Sequence, residues 1–313
     1  MRIVLVDPSR IVTRMVSSLI RPWQHEVFEL VDGAEALEAI RTDSAVDAVI
    51  TSAELPTISG IDLCSQARML AGARRPLYII LMSSNDDNKK LIMALENGAD
   101  DYIHKPPVVE ELRARLRAAE RMLSMQRELI RLACTDYLTG LLNRRAFFEQ
   151  AMDRWPRSSS GKLSVIMCDI DHFKKINDNL GHDAGDVVLR SIAQQLAQLD
   201  GIVGRLGGEE FCILVNEPLD DALDMAEALR RTLSGVRCCI GKEIVRVTCS
   251  IGVAEWEGGD TIDCLLRRAD MALYEAKLTG RNRVVAADTY ATSTRHEDWR
   301  GTARIAPRGP GTA

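Results

Sequence analysis

Arg205-Leu206-Gly207-Gly208-Glu209-Glu210-Phe211 sets two glycines and two adjacent carboxylates between apolar runs, "IVGR" (202–205) upstream and "FCILV" (211–215) downstream. Two short β-type runs joined through Gly-Gly read as a hairpin, because glycine reaches the positive φ that a tight turn requires. The apolar flanks make that hairpin part of a core, so its two acids need partners from elsewhere in the chain. The natural neighbour is "KLSVIMCDI" (162–170), a strand whose end carries Asp169, with Asp171 just beyond. Pairing the two would bring Glu209 and Glu210 beside Asp169.

Three carboxylates without a histidine or cysteine suit a hard cation. Mg²⁺ takes one or two carboxylates and fills its octahedron with water and phosphate oxygens. Two such ions can activate a hydroxyl and neutralise a leaving pyrophosphate. Gly207 and Gly208 carry no side chains, so a phosphate can approach the backbone there. A solvated acidic hairpin with glycine only for turn geometry is the alternative reading of the string taken alone.

Further elements extend outward from the hairpin. "TDYLTGLLNRRAFFE" (135–149) opens this part of the chain, with Thr135 or Asp136 placed to cap a turn and a helix over 144–153. "WPRSSSG" (155–161) reads as a loop. Helices are expected over 184–198, 219–233 and 261–279, and strands over 236–240 and 243–254. Strands with two crossing helices on one side suggest an α/β sandwich around a mostly antiparallel sheet. "NDNLGHDAGD" (177–186) offers Asn177 and Asp186, an amide and a carboxylate suited to a purine edge. A carboxylate accepts from two N–H groups of guanine, and adenine would leave it unpaired. Lys277 lies in the last turn of the final helix and Arg281 follows Gly280, an expected C-cap, so two cations stand ready for a polyphosphate. Read singly, Asn177 is also a plausible cap, Asp186 a helix-start acid and Lys277 a solvated charge.

The N-terminal part has a different rhythm. "RIVLV" (2–6), "DAVIT" (47–51) and "LYIILM" (77–82) are apolar on both faces, as parallel strands are, and "VFEL" (27–30) and "DYI" (101–103) are weaker strands. Helical patterns lie between them near 9–20, 34–41, 60–71 and 86–97. The sum is a flavodoxin-like, doubly wound parallel sheet over 1–106. One long linker helix follows over 107–134. Leu112, Leu116, Ala119, Leu123, Gln126, Ile130 and Ala133 step along it by fours and threes, the spacing of a coiled-coil seam with one polar interruption. The second domain is assigned to 135–287 and a polar, Gly- and Pro-containing tail to 288–313, read as disordered.

Composition narrows the function classes. The 313 residues carry a net charge of −5, which argues against a nucleic-acid coating protein. The 8 cysteines show no CxxC pair and no metal-finger spacing, so they read as reduced thiols. No apolar run reaches membrane length. The expectation is a cytoplasmic protein with no nucleic-acid or membrane partner.

The segments "DYLTGLLNRRAF", "DIDHFKKINDNLGHDAGD", "RLGGEEF", "SIGVA" and "ADMALYEAKLTGRNRV" occur in this order over about 134–286. Together they resemble the GGDEF family of diguanylate cyclases. The resemblance implies condensation of two GTP into cyclic di-GMP with loss of two pyrophosphates, each of two facing domains holding one GTP. It implies Asp169, the Ile170 carbonyl and Glu210 as ligands of Mg²⁺ or Mn²⁺, two ions per site, with Glu209 and Glu210 the catalytic acids. Which of the two glutamates is nearer a general base stays open. It further implies Asn177 and Asp186 as guanine contacts, His182 in the same substrate segment, Phe173 and Lys174 where backbone N–H groups meet phosphate, and Lys277 and Arg281 as phosphate contacts. One departure concerns an Arg-x-x-Asp ahead of the hairpin, an inhibitory product site in many members; here those positions are Gln198 and Gly201. The first 125 residues or so resemble a response-regulator receiver domain. Asp7, Ser83 and Lys105 match its parts, and Tyr102 stands at the aromatic switch position. Pro8 breaks the acidic pair, and Ser52 stands where the phospho-accepting aspartate is expected. The resemblances imply a homodimeric cyclase, joined through linker and receiver, whose receiver serves regulation, dimerisation or a protein partner. The alternative is a silent GTP or cyclic di-GMP binding adaptor.

Overall fold

The computed structural model describes residues 1–72, 74–84, 88–154, 162–241, 243–258 and 260–287. The expected loop at 155–161 and tail at 288–313 lie outside the described residues. The chain divides into two compact units, Met1–Ala133 and a second that begins at Cys134.

The first unit alternates β1 (Arg2–Val6), α1 (Arg10–Ile20), β2 (Glu26–Leu30), α2 (Gly33–Thr42), β3 (Ala48–Ser52), α3 (Gly60–Ala71), β4 (Tyr78–Ser83), α4 (Asn88–Glu96), β5 (Asp101–His104) and α5 (Val109–Cys134). All strand pairs are parallel, in the order β2-β1-β3-β4-β5. The apolar runs are continuous because both faces are covered. Ile3, Leu5, Ile50 and Ile80 point into one core with α1 and α5, whereas Val4, Val6, Val49 and Ile79 point into the other with α2 and α3. Helix starts follow local chemistry: Ser9, Asp32 and Ser59 accept hydrogen bonds from the first-turn N–H groups of α1, α2 and α3.

Helix α5 corrects the first half of the expected seam, Leu112 to Leu123, while Gln126 and Ile130 are half-buried and Ala133 is exposed. Leu112, Leu116, Ala119 and Leu123 are at most 1% exposed and sit in the core with Ile3 and Leu5. These residues serve the first unit's own packing and are withheld from a partner helix. The outward stripe lies one position earlier at each step: Met122 (42% exposed), Met125 (68%), Leu129 (63%) and Leu132 (60%). Its steps of three, four and three keep coiled-coil spacing.

The second unit comprises β6 (Leu142–Asn143), α6 (Arg144–Arg154), β7 (Ser164–Ile170), α7 (Phe173–Leu180), α8 (His182–Leu196), β8 (Ile202–Gly207), β9 (Glu210–Val215), α9 (Leu219–Gly235), β10 (Arg237–Ile240), β11 (Glu243–Arg246), β12 (Cys249–Glu255), α10 (Ile262–Leu278) and β13 (Val284–Ala286). Six strands form a sheet in the order β13-β12-β7-β9-β8-β6, antiparallel from β12 to β8 with a parallel strand at each edge. Central β7 alternates its side chains into two cores. Ile166, Cys168 and Ile170 pack with α8 and α9, and Val165 and Met167 pack with α6 and α10. Helices therefore cover both faces, where the sequence suggested one. The expected strand 243–254 is two: β11 pairs with β10 in a separate hairpin, and β12 joins the main sheet. Helix α7 is an addition to the sequence reading. All eight cysteines are free thiols. No helix among the described residues is long and apolar enough to cross a membrane.

The two stripes of α5 make separable predictions. Leu123→Ala leaves a cavity in the core of the first unit and is expected to destabilise that unit by about 2–5 kcal/mol. Met125→Ala on the exposed stripe is expected to change it by no more than about 0.5 kcal/mol. Urea unfolding of the full chain at low concentration checks both, and equal effects would reverse the assignment.

Candidate active site

The hairpin places its acids through backbone register. Asp169 pairs with Glu210 across β7 and β9, and a bulge between Arg205 and Gly207 lets Gly207 also face Glu210. Gly208 turns the chain at φ +50°, a conformation costly for residues with a side chain. Arg205 fastens the turn from below. Its Nε and Nη2 donate to the Gly208 carbonyl at 3.0 and 2.7 Å, and its Nη1 donates to Asp136 Oδ1 at 3.0 Å. Asp136 is itself fixed by the Thr139 amide (2.9 Å) and hydroxyl (2.7 Å). Burial pushes its carboxyl up, but the hydrogen bonds from Thr139 and Arg205 outweigh that and hold it below the usual range. Neither Arg205 nor Asp136 was assigned to the site from sequence, although Asp136 three residues before Thr139 is a turn-capping pattern.

Asp169 is 5% exposed at the end of β7. Burial drives its carboxyl pKa up to about 6; Lys277, whose Nζ lies 2.7 Å from Oδ2, pulls it down, and Glu209 and Glu210 push it up again. Lys277 is thus engaged with Asp169. Asp171, equally buried, has a different task. It accepts from the Thr248 hydroxyl (2.7 Å), the Ser250 hydroxyl (2.7 Å) and the Asn282 amide (3.0 Å), so it ties β12 and the turn after α10 to the end of β7. That turn is closed by the Arg281 amide donating to the Ala276 carbonyl at 2.9 Å, a Schellman bond, and leaves the Arg281 side chain exposed. Ile170 stands opposite Cys249 at the strand end. Glu209 and Glu210 are half-buried.

A second cluster sits on α7 and α8. Asn177 is half-buried, and its Oδ1 is buried with no hydrogen-bond partner among the described residues. A Cβ on Gly185 would lie 2.0 Å from that oxygen, so a side chain there requires the Asn177 amide to move from its buried position. Asp186 follows Gly185 and is half-buried, Phe173 is buried at the start of α7, and Lys174 and His182 are exposed. The structure thus gathers Asp169, Glu209, Glu210 and Lys277 in one group and Asn177 and Asp186 in another. Among the described residues no three His, Cys, Asp or Glu side chains form a ready metal shell. At the Arg-x-x-Asp positions, Gln198 is exposed, and a Cβ on Gly201 would come within 2.8 Å of the Leu214 carbonyl oxygen, so an aspartate there requires the backbone to shift.

In the first unit, Asp7, Ser52 and Ser83 are buried at the strand ends. Lys105 Nζ bonds to the Asp7 carboxylate and, at 2.6 Å, to Ser52 Oγ. Ser52 Oγ also donates to the Glu54 carbonyl at 3.0 Å and accepts from its amide at 3.2 Å. The Tyr102 ring is buried and meets His104 edge-on, with centroids 5.3 Å apart.

Asp169 gives the site a pH signature. Its folded pKa of about 6 lies above the ordinary 3.8, so the folded state keeps a proton that the unfolded chain releases. The linked stability is present below about pH 4 and lost as pH rises to about 6, on the order of 3 kcal/mol. In buffer free of divalent ions, the wild type minus Asp169→Asn stability difference is expected to fall across that window. A difference independent of pH from 4 to 7 would contradict it.

Residues 133–283 match the family described as diguanylate cyclase, GGDEF domain, and residues 3–117 match the response regulator receiver domain. The response regulator PleD of Caulobacter vibrioides is 38% identical over 262 residues, which are 79% of this chain and 58% of PleD. The diguanylate cyclase DgcM of Escherichia coli K12 is 42% identical over 169 residues, 52% of this chain and 40% of DgcM. The chain therefore spans less than two thirds of these curated relatives. A crystal structure of the coiled coil and GGDEF domain of DgcB from Caulobacter crescentus, in complex with c-di-GMP, is 32% identical, covers 56% of this chain and 99% of that one, and superposes with a TM-score of 0.51. The chain belongs to the GGDEF family through residues 133–283 and carries a response regulator receiver domain over residues 3–117.

Proposed function

We propose that this chain is a diguanylate cyclase. It joins two GTP through attack of each 3′-hydroxyl on the other's α-phosphate, releasing two pyrophosphates and cyclic di-GMP. The observation that carries this reading is the register of Glu210 against buried Asp169, with Glu209 at the adjoining turn. Relatives named diguanylate cyclases, and a GGDEF neighbour solved with c-di-GMP, support it.

An all-oxygen donor set fits Mg²⁺ or Mn²⁺. Asp169, Glu210 and the Ile170 carbonyl are the proposed donors, completed by phosphate oxygens. Two such ions, when bound, supply charge neutralisation and lower the pKa of the attacking hydroxyl. Glu209, at the turn and outside the ladder, takes up the hydroxyl proton. Asn177 holds a buried acceptor without a partner, which costs stability unless a ligand donates to it. With Asp186 it reads the donor edge of guanine, and His182 borders the same segment. The amides of Phe173 and Lys174 at the start of α7, with Lys277 and Arg281, hold the phosphates. GTP binding moves Lys277 from Asp169 toward the phosphate.

Catalysis needs two loaded domains. The α5 stripe Met122-Met125-Leu129-Leu132 is the proposed parallel dimer seam, raising the effective concentration of one domain for the other. The receiver acts as a regulatory, dimerising or partner-binding module without phosphoryl chemistry. Ser52 supplies no carboxylate nucleophile, and Lys105 spans it to Asp7.

Incubation with GTP and Mg²⁺ followed by chromatography tests the reading. Wild type is expected to yield cyclic di-GMP, and Glu210→Gln to lower the rate by at least about a hundredfold while staying folded. Acetyl phosphate in the same assay is expected to leave the rate unchanged. Wild-type turnover by a folded Glu210→Gln variant contradicts the site, and GTP binding without product from the wild type indicates the silent adaptor.

A further inference from the structure

Strands β10 and β11 form a hairpin of their own, and its register sets Arg237 directly opposite Arg246. Both side chains are exposed, and neither has an ion-pair partner among the described residues. Like charges directly opposite on paired strands are destabilising, so the arrangement costs stability unless an anion joins them. Arg246 also lines a cavity of about 340 Å³ between the β11–β12 turn and α7. From α7 the cavity receives Lys175, likewise without an ion-pair partner, together with Asn179 and the apolar Ile176; Val247 forms the opposite wall. Among the described residues Asp171 is the one acid at its edge, and both its oxygens already accept hydrogen bonds from Thr248, Ser250 and Asn282. Lys175, Ile176 and Asn179 share a face of α7 turned away from the face that carries Asn177 toward Gly185. The cavity therefore opens on the side of α7 away from Asn177, and its lining includes none of Asp169, Glu209, Glu210 and Lys277.

We infer that this cavity is a second anion site, taking a small phosphate-bearing molecule of mononucleotide size or less. Its volume is at the lower end for small-molecule sites, which favours such a ligand over a protein segment. Arginine forks match phosphate oxygens in paired hydrogen bonds, Lys175 adds a point charge, and Ile176 and Val247 offer an apolar wall to the body of the molecule. The site is independent of cyclase chemistry and needs no divalent ion.

Calorimetric titration of the full chain with inorganic pyrophosphate in EDTA tests it. Wild type is expected to bind, with affinity unchanged in Lys277→Ala and at least tenfold weaker in Arg246→Ala or Lys175→Ala. Arg237→Ala is expected to weaken binding while raising the melting temperature of the unliganded chain, opposite signs that a purely structural arginine does not produce. Absence of binding by the wild type overturns the inference. So does wild-type affinity in Arg246→Ala, or loss of binding in Lys277→Ala, which would place the anion in the active site. None of these outcomes depends on turnover, so failure of the cyclase reading is distinguishable.

Discussion

The hairpin depends on a single guanidinium. Arg205 donates twice to the Gly208 carbonyl and once to Asp136, so it fixes a glycine turn that has little conformational preference of its own. The clamp is largely buried, its side chains 13% and 17% exposed, where charge-assisted hydrogen bonds are worth more than at the surface. It answers the question posed by two acids in an apolar hairpin. They are held there by a turn anchored to a distant segment, and the antiparallel register delivers Glu210 to Asp169.

At the end of β7, two buried aspartates two residues apart show what separates structure from function. Asp171 has three donors and serves as a knot between β12 and the turn after α10. Asp169 has Lys277 and two neighbouring glutamates, and its carboxyl is driven upward. A buried carboxyl left short of donors, beside others of like charge, is unfavourable for folding, and groups of this kind concentrate at functional sites. Asn177 fits the same pattern, with an unpartnered acceptor kept buried by the close approach of Gly185.

Much of the fold was legible because central strands buried on both faces read as unbroken apolar runs, as at 3–6, 77–82 and 165–168. The carboxylates at the end of β7 and on the hairpin were legible as residue types that an apolar setting does not tolerate without partners, and Asn177 and Asp186, the proposed guanine contacts, as an amide and a carboxylate nine residues apart. The errors have physical causes. Helix α5 carries two apolar stripes one residue apart, both at coiled-coil spacing, and only the receiver's packing decides that Leu123 faces inward and Met125 outward. The run 243–254 is rich in β-branched residues throughout, so nothing local marks the point at Val247-Thr248 where it changes sheets. Helix α7 is only eight residues and mostly polar, too short for periodicity to speak. The Arg205–Asp136 pair spans 69 residues, a contact that spacing cannot reveal.

The central claim is that the Arg205 clamp, and through it the turn, positions the proposed catalytic acids Glu209 and Glu210. The direct test is steady-state cyclic di-GMP synthesis by Arg205→Ala and Arg205→Lys, with circular dichroism to verify folding. The account predicts that kcat falls at least about tenfold in Arg205→Ala with little change in KM for GTP, because the acids are displaced and the residues proposed to contact guanine and phosphate stay in place. Arg205→Lys, which keeps the charge and loses the paired donors to Gly208, is expected to recover only part of the rate. A folded Arg205→Ala variant with kcat within twofold of wild type would contradict the account.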